Sequence, residues 1–223
     1  MYLFGIHEAS RKRFGLTIGS FSSVYPCGGT TISRTTNFIG SGLRRVKVLA
    51  VRTHTDDEIS STGGILAYYS APSIRSGVVT CTRGEEREIH DPGLDQEVDR
   101  SRLRELRAQE VKNACAFLGV PELRMLGFRD SGMADTPANQ HPEVFVKADL
   151  VEETRRLVRV IRKFRPRVKV ADPPGWSYPH TDHIMCYVTT KTDSALAGIK
   201  GAFRESGPHW RPDKSYVVAP VDG

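Results

Sequence analysis

The sequence predicts an α/β fold built as three layers around a mostly parallel sheet, and three observations predict it. From residue 46 onward, apolar segments of strand length alternate with longer segments of helical period, the pattern that βαβ units leave in a sequence. Each of the first four strand-like segments runs into a polar cluster, as expected where open sheets bind ligands beyond the carboxyl ends of their strands. The 223 residues, 39% hydrophobic and 8% aromatic, suffice for one domain with a full core and not for two large ones.

The first strand is VKVLAV (46–51), which leads into His54-Thr-Asp-Asp-Glu58 at a helix start. The second, GVVTCT (77–82), is followed by Thr82-Arg-Gly-Glu-Glu86. Next comes a helix in which Leu103, Leu106, Val111, Cys115 and Leu118 share one face, with Gly119 as its stop signal. The third strand, LRMLGF (123–128), ends in Arg129-Asp-Ser-Gly-Met133. Leu150, Leu157, Ile161 and Phe164 mark a second amphipathic helix, which Arg165-Pro166 closes. RVKVA (167–171), the cluster from Asp172 to His183, and SYVVAP (215–220) complete a Rossmann-like arrangement with no internal repeat. No helix is predicted between 172 and 214.

The formal charge of +6 and pI near 9.2 would suggest a nucleic-acid partner if the charge were spread over the fold. It is not. Residues 1–45 carry six Arg/Lys against Glu8 alone, and residues 46–223 carry 26 basic and 25 acidic residues. The body of the protein therefore has no general attraction to phosphate. The leader, residues 1–45, is rich in Ser, Thr, Gly and Arg, and is read as a flexible or non-native extension rather than a targeting peptide; the domain proper is 46–223. Cys27, Cys81, Cys115 and Cys186 form no CxxC pair, which argues against a disulfide framework and fits a reducing cytosol. No apolar run approaches the ~20 residues that span a bilayer, so neither membrane nor nucleic acid is expected as a partner.

The acid run after the first strand poses an electrostatic question. Three adjacent acids repel one another and are partly desolvated at the end of an apolar strand, so a positive charge is expected nearby. A cation answers it. His54 and Asp57, three residues apart across a strand-to-helix turn, can converge on one ion, and Tyr178-Pro-His-Thr-Asp-His183 supplies two further histidines from another strand end. A His/Asp/His set with one open position suits a catalytic zinc. Taken singly, the acids read as a helix cap and each histidine as a hydrogen-bonded core residue; two His/Asp clusters at two strand ends favour the metal.

These motifs resemble the PIG-L/LmbE-like zinc deacetylases, in particular the branch acting in mycothiol and bacillithiol metabolism. THTDDE matches Ala-His-Pro-Asp-Asp-Glu and HTDH matches His-Pro-Asp-His, with further echoes in SSTGGILAYY, TRGEE, RSRLRELR and FRDSGMADTPAN. The resemblance covers about residues 46–220. It implies that His54, Asp57 and His183 hold one zinc ion and that Asp56 is the general base. It further implies that His180, oriented by Asp182, protonates the leaving amine or holds the oxyanion, that Tyr178 stabilises the oxyanion, and that Arg102 and Asp130 grip the sugar. Thr55 and Thr181 replace the motif prolines, Trp176-Ser177 replaces Gly-Gly, and Arg87 replaces a glycine.

The implied activity is zinc-dependent removal of an N-acetyl group from a small amino sugar of the GlcNAc-inositol or GlcNAc-malate type, in the cytoplasm. Two alternatives share the same residues: an amidase cleaving mycothiol S-conjugates, and a relative that binds sugar or metal without turnover. Homo-oligomers are compatible with either.

Overall fold

Val48, Leu49, Ala50 and Val51 are buried on both faces of the sheet, as the centre of a parallel α/β sheet requires. The computed structural model describes residues 45–90, 93, 95, 99–173 and 180–218. In it, β1 (Val48–Arg52), β2 (Ser76–Thr82), β3 (Glu122–Phe128), β4 (Val168–Ala171) and β5 (Lys214–Val217) pair in parallel in the order β3-β2-β1-β4-β5. The chain reverses its winding between β1 and β4, where sheets of this kind open a crevice at the carboxyl ends. All these elements belong to one unit, Gly42–Gly223. The predicted leader lies outside the described residues apart from Arg45.

The helices are α1 (Asp57–Ser60), α2 (Gly63–Ser70), α3 (Leu103–Phe117), α4 (Leu150–Phe164) and α5 (Thr181–Leu196). Alternation along the strands builds the two outer layers. Ala50 and Val78 pack with Leu66, Val111 and Cys115 of α2 and α3, whereas Leu49, Val51, Val79 and Cys81 pack with Leu157, Ile161 and Cys186 of α4 and α5. Gly119 ends α3 at φ +70, a left-handed conformation in which a Cβ would meet that of Ser70 at 3.0 Å. Asp149 caps α4 by accepting from the Glu152 N–H, and Arg165 ends it at φ 49 before Pro166. Leu150, predicted to face the core, is exposed; the buried face of α4 runs through Leu157, Val158, Ile161 and Phe164.

Helix α5 is the element that sequence reading did not anticipate. Its threonines at 189, 190 and 192 have low helix propensity, and tertiary bonds offset this. Thr189 Oγ1 donates to Glu153 Oε2 at 2.7 Å, and Lys169 of β4 donates to the Thr190 carbonyl and to Asp193 Oδ1, each at 2.5 Å. Beyond its end, buried Arg162 donates to the carbonyls of Leu196, Ala197, Ile199, Ala202, Phe203 and Gly207 at 2.6–3.2 Å, folding the β5 crossover around one guanidinium. Among the described residues no helix is long and apolar enough to cross a membrane.

Candidate metal centre and active site

The turn from β1 into α1 is closed by the side chain that the sequence put forward as a ligand: Asp57 Oδ2 accepts from the His54 backbone N–H at 2.8 Å. This local bond brings the His54 ring back over Asp57, with Nδ1 3.7 Å from Asp57 Oδ2. His183, in the first turn of α5, places Nε2 3.9 Å from the same oxygen. Ligands about 2.1 Å from a tetrahedral zinc stand roughly 3.4 Å apart, so these three donors fit one small cation. All three residues are buried, and His54 Nδ1 has no hydrogen-bond partner among the described residues.

Each histidine meets a carboxylate through its outer nitrogen. His54 Nε2 lies 3.4 Å from Asp182 Oδ2 and 3.7 Å from Asp130 Oδ1, while His183 Nδ1 lies 3.3 Å from Asp172 Oδ2. The Ser131 N–H binds Asp182 Oδ2 at 2.9 Å, and the Gly132 N–H binds Asp130 Oδ1 at 2.9 Å. His54, Asp130, His180 and Asp182 form a second set of ligand-type side chains within reach of one another, joined to the first through His54.

The electrostatics explain why the acids can be buried together. Burial alone would lower the His54 pKa, but Asp182, Asp130 and Asp57 outweigh it and carry it up to about 9. Burial raises the Asp57 carboxyl against the attraction of His54. His180 goes the other way, to about 4, because it is buried beside the His54 charge. The cluster is thus a place where positive charge is favoured, as proton or as metal.

Asp56 and Asp57, although adjacent, face different surroundings. Asp56 occupies the N-cap position of α1 with no side-chain capping bond among the described residues, and Asp57 and Glu58 fill the first turn. The Asp56 Oδ2 is ion-paired with Arg87 Nη2, and its Oδ1 is buried without a hydrogen-bond partner among the described residues. The loop carrying Arg87 sits close over the motif: a Cβ at Gly84, whose φ is +73, would meet Thr55 Oγ1 at 2.8 Å.

Asp182 was expected to orient His180, and its backbone N–H donates to His180 Nδ1 at 3.2 Å, an interaction that also caps α5, while its carboxylate faces His54. Asp130 was expected near an open mouth, yet it is 1% exposed and packed against His54. Arg102 stands exposed at the end of the 3-10 turn Asp99–Arg102 and makes no ion pair with Asp130 among the described residues. Tyr178, with Trp176 and Ser177, lies outside the described residues. Sequence reading passed over Arg52 and Asp172 as site residues; the signal available was a charged residue closing an apolar strand, VLAVR, which requires a buried acid beside it.

Comparison with known proteins gives the family and the fold. The family described as PIG-L, GlcNAc-PI de-N-acetylase, matches residues 49–192, more than half of the chain. A protein of Catenulispora acidiphila named 1D-myo-inositol 2-acetamido-2-deoxy-alpha-D-glucopyranoside deacetylase 1 is 40% identical over 179 residues, covering 78% of this chain and 55% of that protein. A deacetylase of the same designation from Thermomonospora curvata is 41% identical over 182 residues, covering 78% of this chain and 60% of its own. The chain therefore spans little more than half the length of these relatives. Among solved structures, a conserved protein from Thermus thermophilus aligns with a TM-score of 0.58 at 26% identity, over 80% of this chain and 68% of that one. An N,N'-diacetylchitobiose deacetylase from Pyrococcus horikoshii shares the fold with a TM-score of 0.63 at 20% identity, over 78% of this chain and 61% of that one. The HTDDE and HTDH motifs both fall inside the matched segment, and the chain belongs to the PIG-L family.

Proposed function

We propose that this protein is a zinc-dependent hydrolase that removes the N-acetyl group from a GlcNAc-containing small molecule, of which GlcNAc-inositol is the type. The observation that carries this reading is the convergence of His54 Nδ1, Asp57 Oδ2 and His183 Nε2 beside an Asp56 whose Oδ1 is buried without a hydrogen-bond partner among the described residues. The relatives named as deacetylases of an acetamido-deoxyglucopyranoside supply the substrate class.

His54, Asp57 and His183 hold the ion, which supplies Lewis acidity, bringing the pKa of a water to about 7 and polarising the acetamide carbonyl. Asp56 Oδ1 takes the proton of the attacking water, while Arg87 holds Oδ2. His180 serves the oxyanion rather than the leaving amine. Its Nδ1 accepts from the Asp182 N–H, so its proton is on Nε2, and with a pKa near 4 it is neutral at pH 7 and suited to donating a hydrogen bond. Arg102 and Tyr178 are assigned to the substrate on their motif positions, whereas Asp130, expected there too, is buried against His54.

The assay is primary amine released from N-acetylglucosaminyl-inositol by purified protein, before and after chelation and after return of zinc. Release that chelation abolishes and zinc restores is expected; metal bound without any release would favour the inert relative. That second reading has one observation behind it, the Arg87 guanidinium on the proposed base. A mycothiol S-conjugate run in parallel distinguishes the amidase.

A further inference from the structure

Behind the three proposed ligands lies a line of buried charge that none of the roles above uses. Arg52 closes β1 at 0% exposure, with Nη2 2.5 Å from Asp172 Oδ1. Asp172, also at 0%, follows β4, the neighbouring strand. Its Oδ2 accepts from the Thr53 N–H at 3.1 Å and from the Thr53 hydroxyl, and lies 3.3 Å from His183 Nδ1. Four groups from β1, the turn after it, and α5 thus converge on one carboxylate.

We infer that Asp172, held by Arg52, is a positioning residue that fixes His183 in the Nδ1–H tautomer and so aims its Nε2 lone pair at the cation. The inference deepens the metal reading proposed above and rests on it. Its physical basis is that a buried ion pair is a poor way to join two strands. Both charges lose their hydration, and a well-packed apolar pair would join β1 to β4 at least as well. An apolar pair cannot hold an imidazole in one tautomer and raise the basicity of its inner nitrogen, which is what outer carboxylates do for metal-bound histidines. The molecule also carries a buried pair for comparison. Lys169 and Asp193, 2.5 Å apart, tie β4 to α5, and among the described residues their side chains bond otherwise to Thr190 and Ser194, with no histidine.

The test is zinc affinity measured by competition with a chelator, on folded protein well below its melting temperature. Asp172→Asn keeps the volume but can offer an amide N–H to His183 Nδ1, which selects the opposite tautomer. It should weaken zinc binding by about 10–100-fold, the usual effect of losing such a partner. Lys169→Met should lower the melting temperature and leave zinc affinity unchanged, separating positioning from simple stability. Should Asp172→Asn fail to fold, histidine nitrogen NMR of the zinc-loaded wild-type protein decides: His183 bound through Nε2 with Nδ1 protonated supports the inference. Wild-type affinity in Asp172→Asn, or an unprotonated His183 Nδ1, overturns it while the metal reading stands. A wild-type chain that binds no zinc overturns both.

Discussion

At the scale of the residue, the HTDDE turn shows how neighbours in sequence acquire different chemistry. Asp57 is drawn inward by the His54 N–H and ends beside two imidazoles, whereas Asp56, one residue earlier, stays 43% exposed in its side chain and meets Arg87. The acid run and the first histidine were legible as a cation site because like charges at a strand end need a partner. The exchange of partners among the outer carboxylates was not legible, because it depends on how α5 seats Asp182 against His54 and on Ser131 and Gly132 offering backbone N–H groups from another strand end. Arg87 yields a prediction at this scale. Its guanidinium is ion-paired with Asp56 Oδ2, on the same carboxylate whose Oδ1 is to take the proton, in a contact open enough to solvent to contribute only ~0–1 kcal/mol. Arg87→Gly should therefore raise kcat by up to about fivefold, the rate equivalent of ~1 kcal/mol, with metal content unchanged. A fall in kcat would show that Arg87 orients the base instead of competing for it.

At the scale of the element, α5 carries both the site and an electrostatic strain. Thr189 of α5 donates to Glu153 of α4, whose carboxyl burial pushes from an ordinary 4.5 up to about 7 despite that bond. The folded chain thus retains a proton that the unfolded chain has released, so this contribution is most favourable below about pH 4.5 and is lost as the pH rises to about 7. Glu153→Gln keeps the acceptor for Thr189 and removes the titration. Melting temperatures between pH 4.5 and 8 should fall less steeply in the variant, leaving it more stable than wild type at pH 8; parallel curves would assign the pH dependence to other groups. The strands, α3 and most of α4 were readable from apolar period and stop signals. Helix α5 was not, because its threonines weaken the local signal and its stability comes from Lys169, Glu153 and Arg162, residues 21 to 36 positions from their partners that only the fold brings together.

At the scale of the whole molecule, the strand order β3-β2-β1-β4-β5 gathers the site. It sets the end of β1, bearing His54 and Asp57, beside the end of β4, which leads to Asp172 and on to His183, while β2 and β3 add the Gly84–Arg87 loop and Asp130. The alternation of strands and helices predicted this convergence in outline, because parallel sheets place every strand's carboxyl end on one side. What the pattern could not supply is which acid faces the metal and which faces water. The most direct test of that assignment is the zinc content of purified protein at equal free zinc for the wild type, Asp57→Ala and Asp56→Asn. The account predicts one zinc per chain in the wild type and in Asp56→Asn, which is inactive for want of its base, and little or none in Asp57→Ala. Zinc lost from Asp56→Asn as completely as from Asp57→Ala would contradict it.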